Sequence, residues 1–473
     1  MARFLIAATS VPGHVFPLLA VSQHLVSRGH EVVVHTGSVF RERVEATGAR
    51  FVAFRPEIDI DYRRLDDHFP ERRKLAPGPA QLCFGLKHFF ADAIPYQSAG
   101  IRDIRREFPV DAIIVDAMFC GTFPLLLGPS EQRVPIVALG ITALALSSPD
   151  TAPFGTALPP ALTPEDRTRN VAMNNHLQQA IFSSTQRYFD DILAKHGSHP
   201  LPAFLFDAMI TLPDLYLQLT AKAFEYPRGE MPDSIRFVGP LLPPPSTDVR
   251  LPPWWDDREK AGSIVLVTQG TVANEDLGRL VGPTLTALAN EDLTVIASTG
   301  GPPVESIPVA LPPNAKAGTF LPFDRLLPKV SVMVTNGGYG AVTHALNLGV
   351  PLVVAGDSEE KPEIAARVAW AGAGINLGTG RPSASQIREA VRAVLTKPQY
   401  RHRAQALRTA FARHNARDEI AELVEDLAAG ETAASGHGNT RRGLRSVDAP
   451  AGGASRQAVD VDTGSIRAMS RTI

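Results

Sequence analysis

The sequence has few cysteines, no long apolar run and no excess charge of either sign. Its 473 residues include Cys83 and Cys120 as the two cysteines, too few for a disulfide framework, which favours a reducing compartment. A net charge of -2 offers no attraction for a phosphodiester backbone, so we expect no nucleic-acid partner. No apolar run approaches the roughly 18 residues that a membrane-spanning helix needs. We therefore expect a cytoplasmic protein without a transmembrane segment, and peripheral contact with a membrane stays open.

What the sequence does contain is an alternation of short apolar strands and helical segments. Residues 3–9 and 31–36 are strand-like, and residues 17–28 between them have helical spacing. Parallel sheets are built from such strand, helix, strand units. Further strand-like segments are residues 50–54, 111–115 and 135–139. The pattern predicts an open, mostly parallel α/β sheet over residues 1–240.

The same alternation starts again after a proline-rich segment. Residues 237–253 contain six prolines, which excludes regular structure and predicts a linker over residues 241–257. A second doubly wound unit is predicted for residues 258–428. From residue 429 onward Gly, Ala, Ser, Thr and Arg dominate without apolar periodicity, so residues 429–473 are predicted to be a disordered tail.

A histidine and an aspartate follow two predicted strands of the first half. His14 lies in the loop 10–17 (SVPGHVFP), and Asp116 directly follows the strand 111–115. Ligands of open α/β sheets bind at the carboxyl ends of the strands, so both side chains would lie at the crevice. There the aspartate would orient the imidazole and stabilise its protonated form, and the histidine would act as a base. The simpler alternatives are a polar loop histidine and a helix-capping aspartate.

Two loops of the second half carry residues suited to phosphates and sugars. Residues 335–342 (TNGGYGAV) follow a strand and open a helix, so glycines and free N–H groups could receive a diphosphate. Residues 356–363 (GDSEEKPE) carry acids and a lysine that could hold sugar hydroxyls. The alternatives are a tight strand-to-helix turn for the first loop and an acidic helix start for the second.

Together and in this order, these segments resemble the inverting GT-B glycosyltransferases, a large family that includes plant and animal UDP-sugar transferases and bacterial natural-product, macrolide-type transferases. The resemblance covers residues 1–427 and includes the opening PGHVFP and Asp116 in the segment IVDA. It implies an α/β fold of the GT-B type, with two Rossmann-like doubly wound parallel-sheet domains facing an interdomain cleft. The first domain would bind the acceptor and the second the nucleotide sugar. The resemblance also implies that His14 is the catalytic base and Asp116 its partner carboxylate.

A donor site in the second half is implied as well. Residues 268–271 (TQGT) are similar to the family's loop near the phosphates, and residues 320–328 (FLPFDRLLP) to the segment with the nucleobase platform. The pair Glu360-Lys361 takes the place of the Asp-Gln pair that grips the sugar. The donor-binding residues implied by the resemblance are Gly270, Thr271, Phe320, Pro322, Phe323, Asn336, Gly337, Gly338, Gly340, Ala341, Glu360 and Lys361.

Two departures from the family pattern bear on the donor. Asn336 stands where most members have a histidine that contacts the pyrophosphate, and His344 where they have a glutamate that binds the ribose. The lost charge assistance at Asn336 is on the order of 1 kcal/mol, and we hypothesise that Lys361 offsets it. The missing glutamate is tolerable for a thymidine diphosphate sugar, which has no 2′-hydroxyl, while UDP-glucose stays the first expectation.

The predicted reaction moves a hexose, with inversion, from a nucleoside-diphosphate sugar to a hydroxyl of a small apolar acceptor such as a natural product, sterol or lipid. The side chains expected to bind the acceptor, each of which could equally lie in the core, are Phe84, His88, Phe119 and Phe154. We expect no metal site and no cofactor beyond the nucleotide-sugar co-substrate.

Two other functions fit the same fold. A non-catalytic nucleotide-sugar-binding auxiliary protein would have no use for His14 and Asp116. A GT-B sugar-nucleotide epimerase would have no acceptor, so incubation with a UDP-hexose alone distinguishes it from a transferase. The sequence makes no prediction about the oligomeric state.

Overall fold

The apolar strand segments of the sequence pair into two parallel sheets in the computed structural model of the protein. The structure describes residues 1–76, 78–242, 251–256, 262–271 and 274–430. The predicted linker 241–257 lies partly outside these residues. The predicted tail 429–473 lies outside them except for Ala429 and Gly430.

The first sheet is built from the N-terminal half of the chain. Its strands are β1 (Arg3–Ala7), β2 (Glu31–Thr36), β3 (Arg50–Ala53), β4 (Ala112–Asp116), β5 (Ile136–Gly140), β6 (Leu215–Gln218) and β7 (Ile235–Phe237). Within the described residues the order is β3-β2-β1-β4-β5-β6-β7, with every neighbouring pair parallel. Strand β4 is buried along its whole length, as expected for a parallel sheet covered on both faces.

Helices of the first half cover this sheet. They are α1 (Pro12–Ser27), α2 (Arg41–Glu45), α3 (Leu65–His68), α4 (Pro79–Gly85), α5 (Ile94–Glu107), α6 (Phe123–Leu126), α7 (Pro164–His176), α8 (Ser183–Lys195) and α9 (Leu205–Thr211). The first of them begins at Pro12 and not at Pro17, because a proline in the first helical turn lacks only an N–H that would have no partner there. His14 therefore lies in the first turn of α1, which corrects its predicted place in a loop.

The second sheet comes from the C-terminal half. Its strands are β8 (Ile264–Thr268), β9 (Thr294–Ser298), β10 (Ala315–Gly318), β11 (Val332–Thr335), β12 (Leu352–Val354) and β13 (Gly374–Asn376), in the order β10-β9-β8-β11-β12-β13 and all parallel. Its helices are α10 (Val281–Leu288), α11 (Phe323–Leu326), α12 (Tyr339–Asn347), α13 (Lys361–Trp370), α14 (Ala384–Thr396), α15 (Pro398–Phe411) and α16 (Ala416–Ala428). The predicted pair of doubly wound parallel sheets is confirmed.

Both sheets reverse their winding direction at a defined place, between β1 and β4 in the first and between β8 and β11 in the second. Crevices at such switch points are the usual ligand sites of open α/β sheets. The loops that leave these four strands at their carboxyl ends carry most of the predicted site residues. The fold thus gathers residues that are far apart in the sequence.

The last helix, α16, returns to the first half of the chain and packs on α1. Glu425 of α16 accepts hydrogen bonds at 2.7 Å from Nε of Arg28 and pairs at 2.7 Å with Nε2 of His30. The helix that carries His14 is therefore supported by the final helix of the described chain.

Candidate active site

His14 and Asp116 meet at the crevice of the first sheet. His14 lies in the first turn of α1, and Asp116 is the last residue of β4. Oδ1 of Asp116 lies 2.8 Å from Nδ1 of His14. Because a carboxylate oxygen only accepts hydrogen bonds, Nδ1 carries the hydrogen, and Nε2 is the basic nitrogen of the neutral ring.

The Asp116 carboxylate is fully buried and is held from further sides. The backbone N–H of Thr9 donates to Oδ2 at 2.6 Å, and that of Met118 donates to Oδ1 at 3.0 Å. The Thr9 hydroxyl donates to Oδ1 at 3.3 Å. These donors fix the carboxylate, which in turn orients an imidazole that is only 17% exposed.

The Glu360 carboxyl group lies within electrostatic reach of this pair. Glu360 ends the loop between β12 and α13. Burial raises the pKa of Glu360 above its usual value and Glu359 raises it further, while Lys361 and His14 lower it. The influence of His14 places the loop of Glu360 within electrostatic reach of the first turn of α1. One residue predicted for the donor and the predicted base therefore act on each other across the two halves.

Lys361 is engaged within its own loop. Its ammonium group forms an ion pair with Glu359, and its side chain is almost fully buried. Glu359 has a φ of 58°, in the left-handed region that residues with a side chain rarely adopt. It also accepts a hydrogen bond at 3.3 Å from the hydroxyl of Tyr62, which ties the loop to the first half of the chain. The role of Lys361 as a cation for the diphosphate stays a prediction.

Asn336 anchors the glycine loop after β11. Its Nδ2 donates to the backbone carbonyl of Gln269 at 2.6 Å, which links this loop to the one that follows β8. The sequence offered no sign of this bond, because Asn336 was expected to contact the diphosphate. One N–H of its amide is used within the protein, and the predicted contact with a phosphate stays a prediction.

The glycines after Asn336 differ in whether a side chain would fit at their positions. Gly337 has a φ of 91°, and a Cβ there would lie 2.9 Å from Cγ1 of Val354, so this position requires glycine. Gly338 and Gly340 have open space where a Cβ would stand. Gly338 directly precedes α12, and Gly340 and Ala341 lie in its first turn. A helix N-terminus with free space around it is suited to bind an anion.

A second glycine cluster lies between the loops after β8 and β9. Its Gly270 was predicted for the donor, while Gly300 and Asn274 were missed. Gly270 has a φ of 73° and Gly300 a φ of 70°, and a Cβ at Gly300 would lie 2.0 Å from the Gly270 carbonyl oxygen. Nδ2 of Asn274 donates to the carbonyls of Gly270, Thr299 and Gly300 at 3.1, 2.9 and 3.0 Å. The dipeptide Gly300-Gly301, one residue after strand β9, was the signal that could have found Gly300. Thr271, also predicted for the donor, is exposed beside this cluster.

Phe320 presents an aromatic ring next to these glycines. The side chain is 61% exposed, which is unusual for a large apolar residue. Its Cζ lies 4.0 Å from the point where a Cβ would stand on Gly301. Pro322 caps α11, and Phe323 begins it and packs on the core. The exposed ring offers a flat apolar surface for a planar group.

Aromatic side chains predicted for the acceptor form a cluster in the first half. The rings of Phe84 and His88 lie 4.5 Å apart, and Tyr188 lies 5.7 Å from His88. Tyr62, which binds Glu359, lies 5.9 Å from the ring of Phe89. This partly exposed aromatic surface therefore extends toward the loop that carries Glu360.

The two remaining predicted acceptor residues lie elsewhere. Phe119 is 2% exposed and packs beside Phe54 in the core, so it presents no surface to a ligand in this structure. Phe154 lines a separate cavity with Leu144, Tyr226 and Arg367. Of the four predicted residues, Phe84 and His88 share one surface and Phe154 belongs to another.

Two absences can be stated for the described part of the chain. It contains no group of three or more His, Cys, Asp or Glu side chains that could hold a metal ion. None of its helices has the length and apolar character needed to cross a bilayer.

Comparison with known proteins places this geometry in context. Residues 283–427 match the family described as erythromycin biosynthesis protein CIII-like, C-terminal domain. The 4′-demethylrebeccamycin synthase of Lentzea aerocolonigenes is 40% identical over 428 residues, covering 90% of this chain and 99% of that protein. UDP-glucosyltransferase A1 of Starmerella bombicola is 32% identical over 433 residues, covering 90% and 92%. The crystal structure of CalG4, the calicheamicin glycosyltransferase, has a TM-score of 0.69 at 22% identity and covers 92% of this chain and 99% of that one.

Two doubly wound parallel sheets that superpose on a solved glycosyltransferase define a protein of GT-B fold. Sequence identity over nearly the whole length of the relatives shows the family as well as the fold. The chain belongs to the GT-B family of UDP-glycosyltransferases and natural-product glycosyltransferases, and it is a nucleotide-sugar-dependent glycosyltransferase. The predicted family and fold class are thus confirmed.

Proposed function

We propose that this glycosyltransferase moves a hexose, with inversion at the anomeric carbon, from UDP-glucose or another nucleoside-diphosphate hexose to a hydroxyl of a small apolar acceptor. The observation that carries the proposal is the 2.8 Å contact between His14 and the buried Asp116, with Glu360 of the other half within electrostatic reach. Activation of an acceptor hydroxyl requires a base, and a carboxylate held in place can orient that base.

In the proposed step, Nε2 of His14 takes the proton of the acceptor hydroxyl as its oxygen bonds to the anomeric carbon. The bond between that carbon and the diphosphate oxygen breaks on the opposite face, which inverts the configuration. Asp116 stabilises the imidazolium that forms. A positioned base of this kind contributes about 10² to 10⁴ in rate.

The departing diphosphate needs stabilisation because its negative charge grows. Helix α12 has nine residues, and its first N–H groups lack intrahelical partners and carry a partial positive charge. Gly338, Gly340 and Ala341 leave the space in which phosphate oxygens would approach these groups. Preorganised N–H groups can stabilise a leaving anion without a metal ion, so the proposed reaction is metal-independent.

Other parts of the donor would be held by Phe320, Glu360 and Lys361. The exposed Phe320 ring would stack on the nucleobase, and the Glu360-Lys361 pair would hydrogen-bond the sugar. His344 is buried, and burial lowers its pKa, so it is no substitute for a carboxylate on a ribose diol. UDP-glucose is proposed first because a relative is named a UDP-glucosyltransferase. A thymidine diphosphate sugar is the second donor to test.

We further propose residues 1–240 as the acceptor domain and residues 258–428 as the nucleotide-sugar domain, joined by residues 241–257. The acceptor would lie on the aromatic surface around Phe84 and His88, which supports an apolar ligand. Movement of the two halves toward each other would exclude water from the donor.

The test is turnover of UDP-glucose with a panel of phenols, polyketides, sterols and lipid alcohols, followed by product chromatography. We expect hexosylated product from the wild type, and a rate at least about 10²-fold lower from His14→Ala, because the base is removed. Calorimetry with UDP should give the same affinity for both proteins. A thermal-shift screen of UDP, dTDP and GDP sugars identifies the preferred donor, since a ligand of the native state stabilises it according to its affinity.

Three outcomes would contradict this proposal. Near-normal turnover by His14→Ala would remove His14 as the base. Epimerisation of the donor without an acceptor would favour an epimerase. Nucleotide-sugar binding without any product would favour an auxiliary binding protein.

A further inference from the structure

Glu363 connects the donor-side helix α13 to a loop of the first half. It lies on α13, which begins at Lys361 directly after Glu360. Oε1 of Glu363 accepts the backbone N–H groups of Gly155 at 2.8 Å and Ala157 at 2.7 Å. Both residues belong to the segment between β5 and α7, which we call the 141–163 loop. A single buried carboxylate therefore fixes the tip of this loop, more than 200 positions away in sequence.

The other oxygen of Glu363 extends the connection. Oε2 accepts a hydrogen bond from Nη1 of Arg367 at 2.8 Å, and Nε of Arg367 donates at 2.8 Å to Oε1 of Glu225. Oε2 of Glu225 accepts the backbone N–H of Leu144 at 3.0 Å. The start of the 141–163 loop and its tip are thus both tied to α13 through one chain of hydrogen bonds.

The charged side chains in this chain of hydrogen bonds lie next to partners of opposite charge. Burial would lower the pKa of Arg367, but Glu225 and Glu363 hold it above its usual value. Burial would likewise raise the pKa of Glu225, but Arg367 and Arg228 hold it below its usual value. Arg367 and Glu225 therefore stay charged over the working pH range. Loss of one partner would leave an unpaired buried charge, which is strongly unfavourable.

The 141–163 loop depends on this support for its conformation. Ala157 has a φ of 54°, a conformation that costs about 1 kcal/mol or more for a residue with a side chain. Residues 144–147 and 151–154 line a small cavity together with Tyr226, Arg228 and Arg367. The loop leaves β5 beside Asp116, because Leu139 pairs with Asp116 in the first sheet.

We propose that Glu363 is a positioning residue: from the helix that begins directly after Glu360 it fixes the 141–163 loop, which leaves β5 beside Asp116 and carries Phe154, so donor binding prepares the acceptor site. This inference rests on the proposed transferase function.

The first test is Glu363→Gln, which keeps the shape of the side chain. A glutamine has one oxygen and one NH2 group. Its NH2 group would therefore face either the loop N–H groups or Arg367, and donor would stand against donor at that position. Loss of such a charged hydrogen bond should raise the acceptor KM at least about tenfold, with kcat and donor affinity nearly unchanged. Glu425→Gln is the matched control, since Glu425 also bridges the two halves but lies away from this loop. The control should keep the wild-type acceptor KM.

Hydrogen exchange of the wild type provides a second measurement that does not depend on a variant folding. The amides of Gly155 and Ala157 should exchange more slowly when UDP is bound, because donor binding orders α13 and the loop with it. Exchange unaffected by UDP would overturn the inference, and so would an acceptor KM of Glu363→Gln equal to that of the control. If the wild type transfers no hexose at all, it is the proposed function that fails.

Discussion

Replacement of Asp116 by asparagine tests the proposed base and its partner most directly. Asp116 accepts hydrogen bonds from the ring of His14, from the backbone N–H groups of Thr9 and Met118, and from the Thr9 hydroxyl. Asparagine has the same shape, but one of its two oxygens becomes an NH2 group. At the Oδ2 position this group would oppose the Thr9 N–H. At the Oδ1 position it would oppose the Met118 N–H and push the His14 hydrogen from Nδ1 to Nε2.

The expected effects follow from these two orientations. A buried donor left against another donor costs about 1 to 3 kcal/mol of unfolding free energy. The tautomer with the hydrogen on Nε2 can no longer take a proton from the acceptor, so kcat should fall by about 10² to 10⁴. Donor affinity should change little, because Asp116 lies at the carboxyl end of the first sheet and the donor residues on the second.

Three measurements check this prediction: kcat at saturating acceptor, UDP affinity by calorimetry, and unfolding in urea. Asp111→Asn is a suitable control, since Asp111 accepts the Arg3 N–H at 2.7 Å near the opposite, exposed end of the same strand. The control should keep the wild-type kcat. A folded Asp116→Asn protein with kcat within about tenfold of the wild type would refute the idea that this carboxylate sets the tautomer.

Two further predictions concern the donor side. Phe320→Ala should weaken UDP-glucose binding by about 5- to 100-fold through loss of stacking, measured by calorimetry with Phe320→Tyr as the control; equal affinity of all three proteins would remove Phe320 from the donor site. Because burial raises the pKa of Glu360, its charge destabilises the folded state above that pKa, and the penalty disappears where the carboxyl is protonated in both states. Glu360→Gln should therefore unfold at higher urea concentration than the wild type at about pH 7.5, with an advantage that shrinks toward about pH 4.3; a pH-independent difference would contradict this.

The central strands of both sheets could be predicted from the sequence, because buried parallel strands read as short apolar runs. Strands β6, β7, β10 and β13 were missed. Strands β7, β10 and β13 lie at sheet edges, have three or four residues and are partly exposed, so their pairing depends on neighbours that no local pattern reveals. Strand β6 is buried between β5 and β7, but its four residues are too few to give a clear local pattern. The start of α1 was also placed too late, since Pro12 and Pro17 both fit a first helical turn.

Some contacts of the candidate site could likewise be predicted from the sequence, and others could not. His14 and Asp116 could be predicted as neighbours because β1 and β4 are adjacent parallel strands whose carboxyl ends share one edge. The bond from Asn336 to the carbonyl of Gln269 could not, since it joins a side chain to a backbone 67 positions away. Glu363 gave no signal either, because an acid in the first turn of a helix is common. Contacts that depend on the packing of the two halves remain invisible to local patterns.

The return of α16 to α1 has a consequence for the order in which the protein is made. His30 and its partner Glu425 are separated by 395 positions, so the ribosome must deliver nearly the entire described chain before this contact exists. Until then the nascent first half lacks one of its permanent neighbours, and the helix bearing His14 has an uncovered flank. Full support of this helix is thereby coupled to synthesis of α16, and a polypeptide released before residue 416 would lack the brace that α16 provides.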